Sequence, residues 1–143
     1  MKTTDRLVRL LADDIENKAV LEVACGAADF SISASACSNR TDCIDLDAHR
    51  LSAPLPENVH FQIMDASQMD FADNTFDTII LYNAFAHVQS QWSEIERECK
   101  RVLKANGVID VIGTWKLDTH RMRAFFGDQA NWQGPFLIAK IRK

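Results

Sequence analysis

The sequence contains no apolar run near the roughly 20 residues that cross a bilayer, which argues against a membrane-spanning helix. Its opening residues, Met1-Lys2-Thr3-Thr4-Asp5-Arg6, are polar, and no apolar stretch of the signal-peptide kind follows them. The four cysteines, Cys25, Cys37, Cys43 and Cys99, include no C-x-x-C pair and have no histidine at metal spacing. That argues against a structural zinc site and for reduced thiols in a cytoplasmic protein. Glycine is scarce, with five in the chain, and no G-x-G-x-x-G is present. Low-complexity segments and internal repeats are also missing. What remains is an ordinary composition, 47% hydrophobic and 25% charged. The 143 residues predict one domain over 1–143, able to bury roughly two-thirds of its unfolded surface.

The formal net charge is −4, unevenly spread. Residues 1–96 hold 6 Lys and Arg against 16 Asp and Glu, whereas residues 97–143 hold 10 against 4. Solvated helix faces account for the basic half most simply. A basic surface toward an acidic partner or nucleic acid is the weaker reading, because no nucleic-acid motif or interleaved aromatics support it.

Hydrophobic spacing predicts an amphipathic helix over 4–17 with Leu7, Leu10, Leu11 and Ile15 on one face. A buried strand follows over 19–23 and a small-residue helix over 27–38, with Phe30, Ala34 and Cys37 facing a sheet. The second strand is 42–45. Residues 48–53 form a helical turn, broken by Pro54 and Pro56. Strands at 59–63 and 76–82 come next. The strongest helix covers 91–104, with Trp92, Ile95, Cys99, Val102 and Leu103 as its stripe. Asn106-Gly107 closes it before a strand at 108–112. A short helix near 118–126 and a strand near 136–141 complete the chain. This alternation predicts an α/β fold, Rossmann-like and doubly wound. Its mostly parallel sheet has six to seven strands, with helices on both faces.

In such sheets, ligands bind beyond the carboxyl ends of the strands. The candidate residues fall there. The first strand carries Glu22 and leads into Ala24 and Gly26. The second strand ends at Asp45 and leads into Leu46, the third leads to Asp65 and Ala66, and the fourth ends at Tyr82-Asn83. A carboxylate after the second strand can accept from both hydroxyls of a ribose. Gly26 permits close backbone approach to a ligand. Asp65 can accept from an adenine amino group while the Ala66 amide donates to a ring nitrogen. Asp29 at the phosphate end of the loop would repel a pyrophosphate, so a nicotinamide or flavin cofactor is disfavoured. Singly, Asp45 and Asp47 also read as helix caps and Asp65 as a turn residue. Four ordered hits at strand ends favour the site.

These residues resemble the class I S-adenosylmethionine-dependent methyltransferases. The likeness is greatest to the small-molecule branch that includes the ubiquinone and menaquinone biosynthesis methyltransferases (methyltransferase type 11). Val20 to Phe30 is similar to the first motif of that family, and Ile44-Asp45-Leu46-Asp47 to its ribose-binding strand end. Asp65-Ala66 with Phe71 to Asp77 resembles its adenine site and fourth-strand entry, and Glu98 to Gly107 its late helix and turn. The resemblance runs from about residue 19 to 115. It implies S-adenosylmethionine as cofactor. Glu22 would order the loop and reach toward the methionine amine, and Gly26 would approach the methionyl moiety. Asp45 would hold ribose, Asp65 and Ala66 would read adenine, and Tyr82 and Asn83 would lie near the sulfonium.

The implied function is methyl transfer to an unidentified small-molecule acceptor. His87 is the one candidate for a catalytic base, although packing or capping beside the sheet is the stronger reading of it. The sequence departs from the family at Ala24 and Ala28, where glycines are usual. A positive φ at Ala24 would cost roughly 1–3 kcal/mol. The chain is also short at its C-terminus for the family, so a homo-oligomer completing an open substrate side is a further expectation. The alternative function is a degenerate S-adenosylmethionine-binding or partner-stabilising module without turnover. No metal is expected.

Overall fold

The structure, a computed structural model, describes residues 1–52 and 54–143. Seven strands form one sheet: β1 Ala19–Val23, β2 Arg40–Asp45, β3 Val59–Ile63, β4 Phe76–Tyr82, β5 Leu103–Gly113, β6 Ala130–Gln133 and β7 Phe136–Arg142. Their order is β3-β2-β1-β4-β5-β7-β6, with β1 to β5 parallel and β7 antiparallel to both neighbours. This is the doubly wound sheet that the sequence predicts.

Alternation along the buried strands builds two cores. Val20, Ile80 and Ile112 point to the face covered by α1 (Thr3–Leu10), α2 (Ala12–Ile15) and α3 (Asp29–Ala34). Leu21, Ile79, Leu81 and Val111 point to the other face. There they meet α4 (Phe85–Val88), α5 (Trp92–Val102) and α6 (Lys116–Phe126). Successive strand residues face opposite sides. The central strands therefore read as continuous apolar runs, because both faces are covered.

Several boundaries differ from the sequence expectation. The first helix breaks at Leu11 (φ −98°, ψ 23°), which leaves Leu10 exposed and brings Val8 into the core with Leu7, Leu11 and Ile15. The third helix starts only at Asp29, because Ala28 takes a left-handed φ of 63° that no helix can include. Residues 48–50 form a turn rather than a helical segment, and position 53 lies outside the described residues.

Asn106-Gly107 does not end α5. The helix stops at Val102, and β5 begins at once with Leu103. The β4–β5 register then jumps from Phe76↔Leu103 to Thr78↔Val108, so residues 104–107 bulge out of the ladder. Gly107 sits where a Cβ would stand 2.8 Å from the Lys104 carbonyl oxygen, which is why this close fold-back needs glycine. Strand β6 was not expected. Gly134-Pro135 between β6 and β7 is a two-residue hairpin signal, but the flanking Asn131 and Gln133 hide the strand pattern.

Candidate functional site

The strand order reverses between β1 and β4, and there a cleft of about 810 Å³ opens at the carboxyl ends of the strands. Glu22, Ala24 and Gly26 reach it from β1. Asp45 and Leu46 reach it from β2, Asp65 and Ala66 from beyond β3, and Tyr82 and Asn83 from the end of β4. His87 lines it from α4, with its side chain exposed. All ten sequence-derived candidates thus share one cavity.

The loop after β1 has an unusual backbone. Ala24, Gly26 and Ala28 take φ values of 56°, 55° and 63°, so every second residue is left-handed. Glycine adopts that region freely, whereas alanine does so at a cost. Asp45 holds the loop from β2: its Oδ2 accepts the Gly26 amide at 2.8 Å and its Oδ1 accepts the Leu46 amide at 2.7 Å. A carboxylate has about four acceptor directions, so both oxygens retain capacity toward the cleft.

Glu22 is almost fully buried. Its Oε1 accepts the Ser31 amide at 3.1 Å and the Ser31 hydroxyl at 2.7 Å. Burial raises its carboxyl to about 8, and the Ser31 hydrogen bonds oppose that rise without cancelling it. Glu22 is therefore mostly protonated at neutral pH.

Asp65 is exposed, and its Oδ1 accepts the amide and hydroxyl of Ser67 at 2.9 and 2.7 Å. Those bonds hold its carboxyl below the ordinary range. The turn role expected from sequence is thus present, on a residue that also lines the cleft. Asp47 likewise caps its own turn, accepting the His49 amide at 2.9 Å.

Tyr82 is half-buried against Phe30, with ring centroids 6.3 Å apart, and burial pushes its phenol up. Asn83 (φ 50°) turns its side chain toward the end of β5. Its Nδ2 donates to Thr114 Oγ1 at 2.8 Å, and its Oδ1 accepts the Thr114 amide at 2.7 Å. Its carboxamide therefore braces two strand ends.

Sequence reasoning passed over Arg50, Trp115 and the Lys2–Thr4 segment, which also line the cleft. Trp115 follows β5 and was discoverable by the same strand-end rule. Arg50 and Lys2 carried no local signal, because chain folding alone brings them to the cavity. Asp29, Asp45, Asp47 and Asp65 outnumber these two cations. The cleft therefore suits a cationic ligand with hydroxyl and amine donors better than a polyphosphate. Among the described residues no cluster of three or more His, Cys, Asp or Glu could hold a metal ion.

A family model described as a methyltransferase domain matches residues 21–111. The chain is similar to the YcgJ protein from Bacillus subtilis, at 25% identity and a TM-score of 0.67, over 78% of this chain and 50% of that one. An S-adenosylmethionine-dependent methyltransferase from Aquifex aeolicus has a TM-score of 0.71 at 17% identity, over 97% of this chain and 89% of that one. Phosphoethanolamine N-methyltransferase 1 from Haemonchus contortus, solved with phosphoethanolamine and S-adenosylhomocysteine, has a TM-score of 0.61 at 18% identity. That match covers 80% of this chain and 26% of that one. The chain spans half the length of the Bacillus structure and about a quarter of the Haemonchus one. No curated protein sequence matches it.

Proposed function

We propose that this chain, which belongs to the methyltransferase-domain family, binds S-adenosylmethionine in the strand-end cleft and transfers its methyl group to a small-molecule acceptor. The observation that carries this reading is the Asp45 carboxylate. It sits at the end of β2 and is hydrogen-bonded to the left-handed Gly26 loop of β1. Support also comes from the matched family and from the acid-rich lining, which suits a sulfonium and an ammonium.

In this reading Asp45 accepts from the ribose hydroxyls, and Asp65 with the Ala66 amide reads adenine. Leu46 packs on the base, and Glu22 orders the loop and faces the methionine amine. Ala24 and Gly26 line the methionyl path, and Tyr82 and Asn83 border the reacting centre. Bound S-adenosylmethionine supplies an activated methyl on sulfur, and the protein supplies placement and electrostatics. His87, exposed at the rim, is the proposed proton acceptor for acceptors that must lose a proton. Residues 1–143 act as one cofactor-binding domain. A second copy closes the acceptor side, where Trp115 and Leu117 are about half exposed. The compartment proposed is the cytoplasm, in keeping with four free thiols. No helix among the described residues is long and apolar enough to cross a membrane.

A thermal-shift titration with S-adenosylhomocysteine tests the binding. Ligand at about 100 times its Kd should add roughly 2.7 kcal/mol. No shift at millimolar ligand sinks the proposal. A second reading, a binding module without turnover, is favoured by one observation: Ala24 and Ala28 stand at positive φ where glycine is at ease. Labelled-methyl transfer across a broad acceptor panel separates the two, since binding without any transfer selects the module.

A further inference from the structure

Arg50 lies five residues beyond Asp45, yet its side chain folds back over the loop of β1. A Cβ on Gly26 would stand 2.7 Å from its Nη1 and 3.0 Å from its Cζ. The guanidinium can rest there only because residue 26 has no side chain. Asp45 and Asp47 line the same cleft, but no carboxylate among the described residues lies within 4 Å of an Arg50 nitrogen. Five guanidinium donors thus face an acidic cavity without an ionic partner.

The ligand read for this cleft is a cation overall, with a single anionic group, the carboxylate of its methionyl end. A planar fork of N–H donors matches a carboxylate in bidentate fashion. Position decides which end of the ligand Arg50 serves. The adenine end is assigned to the β2–β3 side, at Leu46, Asp65 and Ala66. The Arg50 guanidinium lies instead over Gly26, the residue assigned to the methionyl path, on the loop that follows Glu22, which is assigned to the ammonium. Arg50 and Glu22 would then divide the two charges of one aminocarboxylate.

We propose that Arg50 is the carboxylate-binding residue of this cleft, gripping the methionyl carboxylate above Gly26 and selecting nucleosides that carry an aminocarboxylate. The proposal rests on the S-adenosylmethionine reading above. Lys2, the other cation lining the cleft, serves as the control.

Isothermal titration of the full chain with S-adenosylhomocysteine and with 5′-methylthioadenosine tests it. The second ligand keeps the nucleoside and sulfur but lacks the aminocarboxylate. Wild type should prefer S-adenosylhomocysteine. Arg50→Met should weaken that ligand roughly 10–100-fold and 5′-methylthioadenosine by less than about threefold. Arg50→Lys should fall between, and Lys2→Met should stay near wild type. An unchanged melting temperature for the exposed Arg50 variants confirms folding. Equal loss on both ligands would place Arg50 on the nucleoside and overturn the assignment, as would no loss on either. Selective loss in Lys2→Met with none in Arg50→Met would also overturn it. Wild type that binds neither ligand removes the parent reading as well.

Discussion

Asp45 accepts the Gly26 amide at 2.8 Å, joining the end of β2 to the loop of β1 across the cleft floor. One carboxylate thereby shapes the loop and keeps acceptor capacity toward the cleft. Asp45→Ala should weaken S-adenosylhomocysteine at least about tenfold, because hydrogen bonds to charged groups contribute roughly 1.5–3 kcal/mol each. It should also lower the unliganded protein's stability by about 1 kcal/mol, through the orphaned Gly26 and Leu46 amides. Calorimetric titration and thermal melts read the two effects separately. Unchanged affinity would remove the ribose assignment.

Ala24 and Ala28 hold φ near 60° beside Gly26. Relieving one left-handed alanine is worth about 1 kcal/mol. Ala24→Gly and Ala28→Gly should each raise Tm by about 4 °C. The double variant should be close to additive if the two strains are independent. A fall in Tm for both would show that the loop is not strained at these positions.

Glu22 carries its proton up to about pH 8 in the folded protein, against the ordinary range near 4.5 when unfolded. The folded state then binds more protons than the unfolded state between those values, so stability falls as pH rises through that window. Relative to Glu22→Gln, wild type should lose a few kcal/mol, on the order of 3, between pH 5 and 8. An ammonium placed beside Glu22 favours its ionised form, so ligand binding at pH 7 should release up to one proton. Titrations in buffers of different ionisation enthalpy measure that release. Its persistence in Glu22→Gln would assign the proton elsewhere.

Away from the cleft, Lys140 donates to Asp110 Oδ1 at 2.8 Å and also contacts Asp14, tying β7 to β5 and α2. Asp110 is fully buried, and its Oδ2 has no hydrogen-bond partner. Burial and the nearby Asp14 carboxyl raise Asp110 above the ordinary carboxylate range, against the pull of Lys140. Lys140→Met strands two acids and should cost about 2 kcal/mol in urea denaturation at pH 8. The same change made in Asp110→Asn should cost less. Equal costs in both backgrounds would show that the cluster is not coupled.

His87 is exposed at the cleft rim. Placement can account for most of the rate, so His87→Ala should reduce methyl transfer by less than about tenfold for acceptors that need no deprotonation. General-base catalysis contributes roughly 100-fold or more where a proton must leave. A uniform loss across both acceptor classes would point to a packing role instead.

Local pattern determined most of the framework. Ala19–Val23, Val59–Ile63 and Phe76–Tyr82 are legible to the residue. The first and last are mainly apolar because central strands are covered on both faces, and Val59–Ile63, at the sheet edge, alternates apolar and polar residues. The order of Glu22, Asp45, Asp65 and Asn83 at successive strand ends is legible too, since a doubly wound sheet sends consecutive parallel strand ends to one side. Local pattern misplaced the junction after Val102 and missed β6, where a bulge and an edge pairing override propensity. Tertiary structure alone decided that Ala24 and Ala28 become left-handed and that Glu22 keeps its proton. It also decided that the Asn83 side chain braces β5 and that Arg50 returns over Gly26. Each of these depends on which atoms arrive from distant parts of the chain, and backbone strain, desolvation and close contact exist only after that arrival.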